Sequence, residues 1–139
     1  IIDYKPGAAG NIASEFVAIP GCSNFLIEAC VAYSEEAKTR RLGVSSELLK
    51  TFGAVSEECA RAMAEGMRKS SGADFALATT GFAGPDGGTE AAPVGTVFLA
   101  LASPDGTEVK RVQLHGERAR IRELASLHAF DLLRRRLSR

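Results

Sequence analysis

Little in this chain of 139 residues could hold a metal ion or a disulfide framework. It has only two histidines, His115 and His128, far apart in sequence and without companion ligands at metal spacing, so no metal site is expected. Its three cysteines, Cys22, Cys30 and Cys59, are odd in number and form no Cys-x-x-Cys pair. They read as small buried apolar side chains, and their usage fits a reducing, cytoplasmic setting. Net charge is lacking too. Lys+Arg and Asp+Glu both number 17, which argues against a partner held through a broad electrostatic field, nucleic acid above all. The longest apolar runs, residues 26–33 and 94–102, are too short to cross a bilayer, so no membrane partner is expected either. No signal peptide is expected ahead of the fold, and the chain opens on Ile1, not Met. Repeats and linker-length low-complexity tracts are likewise missing. What remains is an ordinary globular composition, 45% hydrophobic and 24% charged, read as one domain over residues 1–139.

The pattern along the chain alternates strands with helices. Residues 1–4 read as a short strand and Lys5-Pro6-Gly7 as a turn. Ala9, Ile12, Ala13 and Phe16 then recur at helical spacing until Pro20-Gly21. Residues 26–33 read as a buried strand. Two short helices follow, 34–42 before Gly43 and 46–52 before Gly53, each entered by serine and ended by glycine. The next helix carries the clearest signals. Ser56 is its N-cap, Glu57 and Glu58 occupy its first turn, Arg68 and Lys69 its last, and Gly72 stops it. Ala60, Met63, Ala64 and Met67 form its core-facing stripe. Residues 75–79 read as a second buried strand, and 95–102 with 107–114 as a hairpin turned at Ser103-Pro104-Asp105-Gly106. A last helix, from about Arg118, carries Ile121, Leu124, Ala125, His128 and Leu132 on one face. The order predicts an α/β layered fold with a mixed sheet and ligand sites at strand C-termini.

Two places could carry chemistry. Thr79-Thr80-Gly81-Phe82-Ala83-Gly84-Pro85-Asp86-Gly87-Gly88 follows a buried strand, and its glycines would let backbone N–H groups approach an anion. It matches neither a Walker A loop nor Gly-x-Gly-x-x-Gly, so nucleoside triphosphatase and Rossmann readings fail. Tyr33 with Lys38 is the second place. A lysine beside a tyrosine accepts a proton if desolvation lowers its pKa; the bland alternative is a solvated lysine near a packed tyrosine. Arg134, Arg135, Arg136 and Arg139 read as partners of a helix C-terminus.

Several segments together resemble the CinA C-terminal domain, the family of the nicotinamide mononucleotide deamidases. They are Ile19-Pro20-Gly21-Cys22-Ser23, Val31-Ala32-Tyr33-Ser34-Glu35-Glu36-Ala37-Lys38, Gly53-Ala54-Val55-Ser56-Glu57-Glu58, the loop Thr80 to Gly88, and Pro93-Val94-Gly95-Thr96-Val97. The resemblance implies a three-layer α/β/α sandwich and a homo-oligomer. It also implies hydrolysis of the carboxamide of nicotinamide mononucleotide to nicotinic acid mononucleotide and ammonia, with no metal or other cofactor. In that scheme a serine attacks the amide carbon, a tyrosine and a lysine move its proton, and a glycine-rich loop holds the phosphate. The pair carries over to Tyr33 and Lys38. The substrate-binding positions carry over to Gly10, Thr80, Gly81, Ala83, Gly84, Pro85 and Gly87.

The resemblance breaks at the nucleophile. The family's Glu-Ser-Cys-Thr-Gly-Gly falls on Lys5, Pro6, Gly7, Ala8, Ala9 and Gly10, so Pro6 occupies the serine position. Phe82 stands where isoleucine is usual, and Ala92 where a lysine is usual. The family's N-terminal helix, ahead of the first strand, has no counterpart here. The expectation is an amidohydrolase fold impaired in catalysis. The alternative is a non-catalytic nucleotide-binding or assembly domain.

Overall fold

The computed structural model describes residues 10–138 and the backbone of Ile2 and Asp3. Five strands form one mixed sheet: β1 (Ile2–Asp3), β2 (Cys30–Val31), β3 (Ala76–Gly81), β4 (Thr96–Ser103) and β5 (Gly106–Gln113). Their order is β2-β1-β3-β4-β5. β1 runs parallel to both β2 and β3, whereas β3, β4 and β5 are mutually antiparallel neighbours. The helices are α1 (Asn11–Val17), α2 (Glu35–Leu42), α3 (Ser46–Phe52), α4 (Glu57–Ser71) and α5 (Arg118–Leu137). The α/β class, the mixed sheet and its hairpin are as the sequence predicts.

The period of two along β3 and β4 divides the interior into two cores. Ala76 and Ala78 of β3, with Phe98, Ala100 and Ala102 of β4, meet Ala60, Met63, Ala64 and Met67 of α4. Leu77, with Val97, Leu99 and Leu101, faces the other way, onto Ile12 of α1 and Ile121, Ala125, Ala129 and Leu132 of α5. Both strands are buried along their whole length. Helices therefore cover the sheet on both faces. Alanines on one face leave room for the methionines of α4, and branched residues on the other fill the space above the small side chains of α5.

Helix starts follow the serines. Ser34, Ser45 and Ser56 each accept an N–H bond, from Ala37, Leu48 and Cys59 respectively, all at 3.1 Å. Each such cap is worth about 1 kcal/mol. Gly66 on α4 sits against the end of α2, where an added Cβ would lie 1.8 Å from the Leu42 carbonyl oxygen.

Two expectations are corrected. Residues 26–33 do not form a buried strand. Only Cys30–Val31 pairs, at the edge of the sheet, with Ile27 and Val31 64% and 48% exposed. The segment has sheet on one side only, which leaves its apolar side chains uncovered. Cys22 and Cys30 are half-buried rather than enclosed, and only Cys59 is buried.

Candidate functional site

The parallel part of the sheet brings the two predicted regions to one end. Val31 of β2 and Thr79 of β3 are both register partners of Asp3. Ala32-Tyr33, just past β2, and Thr80-Gly81, the last pair of β3, therefore lie at the same end of the sheet, two strand spacings or about 10 Å apart. Lys5, Pro6, Gly7, Ala8 and Ala9, which carry the nucleophile reading, lie outside the described residues. Gly10 caps α1 with a φ of +78°, and nothing lies within 4 Å of where its Cβ would be.

Lys38 and Tyr33 exchange the places the bland reading gave them. Lys38 is fully buried, and its Nζ donates to the Ala32 carbonyl at 3.0 Å. Tyr33 is 47% exposed. α2 is polar in sequence, Glu-Glu-Ala-Lys-Thr-Arg-Arg-Leu, yet its fourth residue turns inward to the end of β2. Burial of a lysine requires hydrogen bonds to its ammonium, and the carbonyl at the strand end supplies one.

Burial pushes the Cys59 thiol from 9.0 up to about 11; the charge of Lys38 draws it down, and Glu35 adds to the rise. A folded-state pKa above the unfolded value means the fold holds its proton while the unfolded chain releases it. Stability from this group is complete below pH 9 and is lost between pH 9 and about 11. Denaturant titrations should show a loss of about 2–3 kcal/mol across that window, absent in Cys59→Ala. Equal alkaline slopes in both proteins would contradict this.

The glycine-rich segment that begins at the end of β3 divides into a packed half and an exposed half. Thr80, Gly81, Ala83 and Gly84 are buried, whereas Pro85, Asp86 and Gly87 are exposed. The Thr80 hydroxyl donates to the Ala54 carbonyl at 2.6 Å. A Cβ on Gly81 would meet the Thr96 oxygen at 2.7 Å, and one on Gly84, whose φ is +82°, would meet Val94 at 2.6 Å. These glycines answer first to packing against β4 and residues 93–94, a role the anion argument had not assigned them. Gly87, with φ +89° and only the Phe82 ring near, stands at the open tip.

Two arginines that sequence reasoning missed fix this loop. Arg118 Nη1 donates to the Gly84 carbonyl and Arg111 Nη2 to the Ala91 carbonyl, both at 2.8 Å. They reach it from 34 and 20 residues away, so no local pattern marks them. Hydroxyls near the strand ends have structural partners: Ser34 caps α2, Ser56 caps α4 and donates to Gly53, and Thr80 holds Ala54. Two cavities bounded by described residues lie elsewhere, lined by neither Tyr33, Lys38 nor the loop. Among the described residues no three His, Cys, Asp or Glu side chains are grouped to hold a metal ion, and no helix is long and apolar enough to cross a membrane.

A CinA-like protein of Geotalea uraniireducens is 52% identical over 128 residues, which are 92% of this chain and 30% of that protein. One from Kosmotoga olearia is 50% identical over 128 residues, covering 92% of this chain and 31% of its own length. The chain thus spans about three-tenths of the length of the curated relatives it matches. The crystal structure of competence damage-inducible protein A from Klebsiella pneumoniae superposes with a TM-score of 0.92 at 34% identity, over 99% of this chain and 85% of that one. The family model of the CinA C-terminal domain matches residues 7–137, and the chain belongs to that family.

Proposed function

We propose that this domain recognises a nicotinamide mononucleotide in the manner of a nicotinamide-nucleotide amidohydrolase but does not hydrolyse its carboxamide. One observation carries the reading: residues 1–13 contain no serine, threonine or cysteine. Acyl transfer from an amide needs a nucleophile whose atom reaches the carbonyl carbon and a base that takes its proton. Buried Lys38, whose Nζ reaches the Ala32 carbonyl at the end of β2, and exposed Tyr33 beside it are in this reading the base and its relay. The hydroxyls beside them, on Ser34, Ser56 and Thr80, have structural partners, which argues against a substitute nucleophile. The exposed tip around Gly87 is the part of the loop open to a phosphate.

The test pairs calorimetry with an ammonia-release assay on nicotinamide mononucleotide. Binding without ammonia above background is expected. Ammonia release by the natural chain would overturn the catalytic half, and absence of binding would overturn the recognition half.

A second reading, an assembly role, is favoured by the apolar side chains exposed between residues 17 and 33: Val17, Ile19, Phe25, Ile27, Val31 and Tyr33. Exposed large apolar side chains gathered in one part of the chain suit a second copy of it.

A further inference from the structure

Of the seven phenylalanines, one is not accounted for by the two cores. Phe98 lies in the core beneath α4, and Phe16, Phe75 and Phe130 pack against the core beneath α5. Phe25 and Phe52 are exposed. Phe82 is half-buried and belongs to neither core, and among the described residues no second ring or arginine lies against it. Its neighbour is the open tip of the glycine-rich segment. Ring atoms Cδ1 and Cε1 lie 3.3 and 3.7 Å from where a Cβ on Gly87 would be.

The backbone fixes which way the ring faces. Phe82 N–H donates to the Thr96 oxygen at 3.1 Å, and Gly95 N–H to the Phe82 oxygen at 2.6 Å. These bonds hold the chain beside β4 one residue past the end of β3. The alternation of side chains carries on with them. Leu77 and Ala83 belong to the core on the α5 side, Ala76 and Ala78 to the core on the α4 side. Phe82 therefore shares the face of Thr80, whose hydroxyl holds Ala54 on the α4 side. Lys38 reaches the end of β2 from α2, in that same helical layer.

We infer that the Phe82 ring is the platform for the heterocycle of a bound mononucleotide and selects an N-substituted pyridinium by its positive charge. The inference rests on the proposed recognition of nicotinamide mononucleotide and adds the residue that reads its ring. An aromatic face carries negative charge density that attracts a cation, most strongly where water is partly excluded. A half-buried ring meets that condition. The Gly87 tip proposed for the phosphate stands beside Phe82, so one ribose can join the two ends of the ligand. Isoleucine, usual at this position in the family, has apolar bulk but no such face.

The test is calorimetry on the natural chain and on Phe82→Ile with three ligands: nicotinamide mononucleotide, its reduced dihydropyridine form and ribose 5-phosphate. The reduced form keeps the size and the phosphate but has no ring charge. The natural chain should bind the oxidised form about fivefold more tightly than the reduced one. Phe82→Ile should lose that preference and bind ribose 5-phosphate as before. The chain has no tryptophan, so Phe82→Trp adds a second readout. Its emission should fall as nicotinamide mononucleotide is added and hold steady with ribose 5-phosphate. A preference that survives in Phe82→Ile, or none in the natural chain, would overturn the inference and leave recognition standing. So would steady emission from a Phe82→Trp protein that binds the mononucleotide. A natural chain that binds none of the three overturns the recognition reading, and this inference with it.

Discussion

Replacing Lys5→Glu, Pro6→Ser, Gly7→Cys, Ala8→Thr and Ala9→Gly together should raise ammonia release from nicotinamide mononucleotide by about four orders of magnitude or more. The argument is one of missing atoms. Proline has no hydroxyl to attack the carboxamide and fixes its own φ near −65°, so both the nucleophile and the turn that aims it are altered at one position. In the proposed reading the remaining parts are Lys38, buried with Nζ on the Ala32 carbonyl, and Tyr33, which follows the same strand end. Adding Lys38→Ala to the rebuilt chain should return the rate to background. A rebuilt protein that binds the mononucleotide without releasing ammonia would defeat the assignment of this end of the sheet as the reacting end.

Gly66→Ala should destabilise the fold by about 2–3 kcal/mol, a drop of roughly 10 °C in the melting midpoint. Helix propensity alone gives the opposite sign, since alanine is favoured over glycine by about 1 kcal/mol within a helix. Contact decides the outcome. The new Cβ would lie 1.8 Å from the Leu42 oxygen and 2.8 Å from its carbonyl carbon, and both are backbone atoms that cannot rotate away. α2 would have to withdraw from α4, and α2 is the helix that carries Lys38. Gly72→Ala is the useful contrast. Its φ of +73° is unfavourable for alanine but the space around it is open, so about 1 kcal/mol is expected there. An unchanged or raised midpoint for Gly66→Ala, read by circular dichroism, would show that the two helices separate at no cost.

What the sequence displayed well was written within a few residues. Ser34 and Ser56 cap their helices, Gly43 and Gly72 end them, and the turn before Gly106 closes the hairpin. Such signals are short-range, and they locate most of the fold. Residues 26–33 misled because an apolar run looks alike whether covered on two faces or on one, and its one neighbour in the sheet, β1, lies 28 residues earlier, with Ile2 opposite Cys30. The burial of Lys38 was hidden for a related reason. α2 is charged at five of its eight positions, and only its placement against β2 and α4 turns one lysine inward. The glycines after β3 suggested ligand approach, but Val94 and Thr96, which need them, come from the next strand and its lead-in. Tyr33, Lys38 and the loop were legible as a group through resemblance, whereas the arginines that anchor the loop were not.

The two borders of the sheet differ in a way that limits how copies of this domain can join. β5 presents Glu108, Lys110 and Arg111 along its outer side, charges of both signs that discourage a foreign strand from adding there. β2 presents only two residues, Cys30 and Val31, among exposed apolar side chains, and the charge nearest in sequence, Glu28, is paired with Arg41. Unlimited growth needs each copy to offer two complementary margins, one to give and one to receive. With one margin defended, any strand-to-strand joining would have to use the same margin of both molecules, and a symmetric pair would leave nothing for a third to extend.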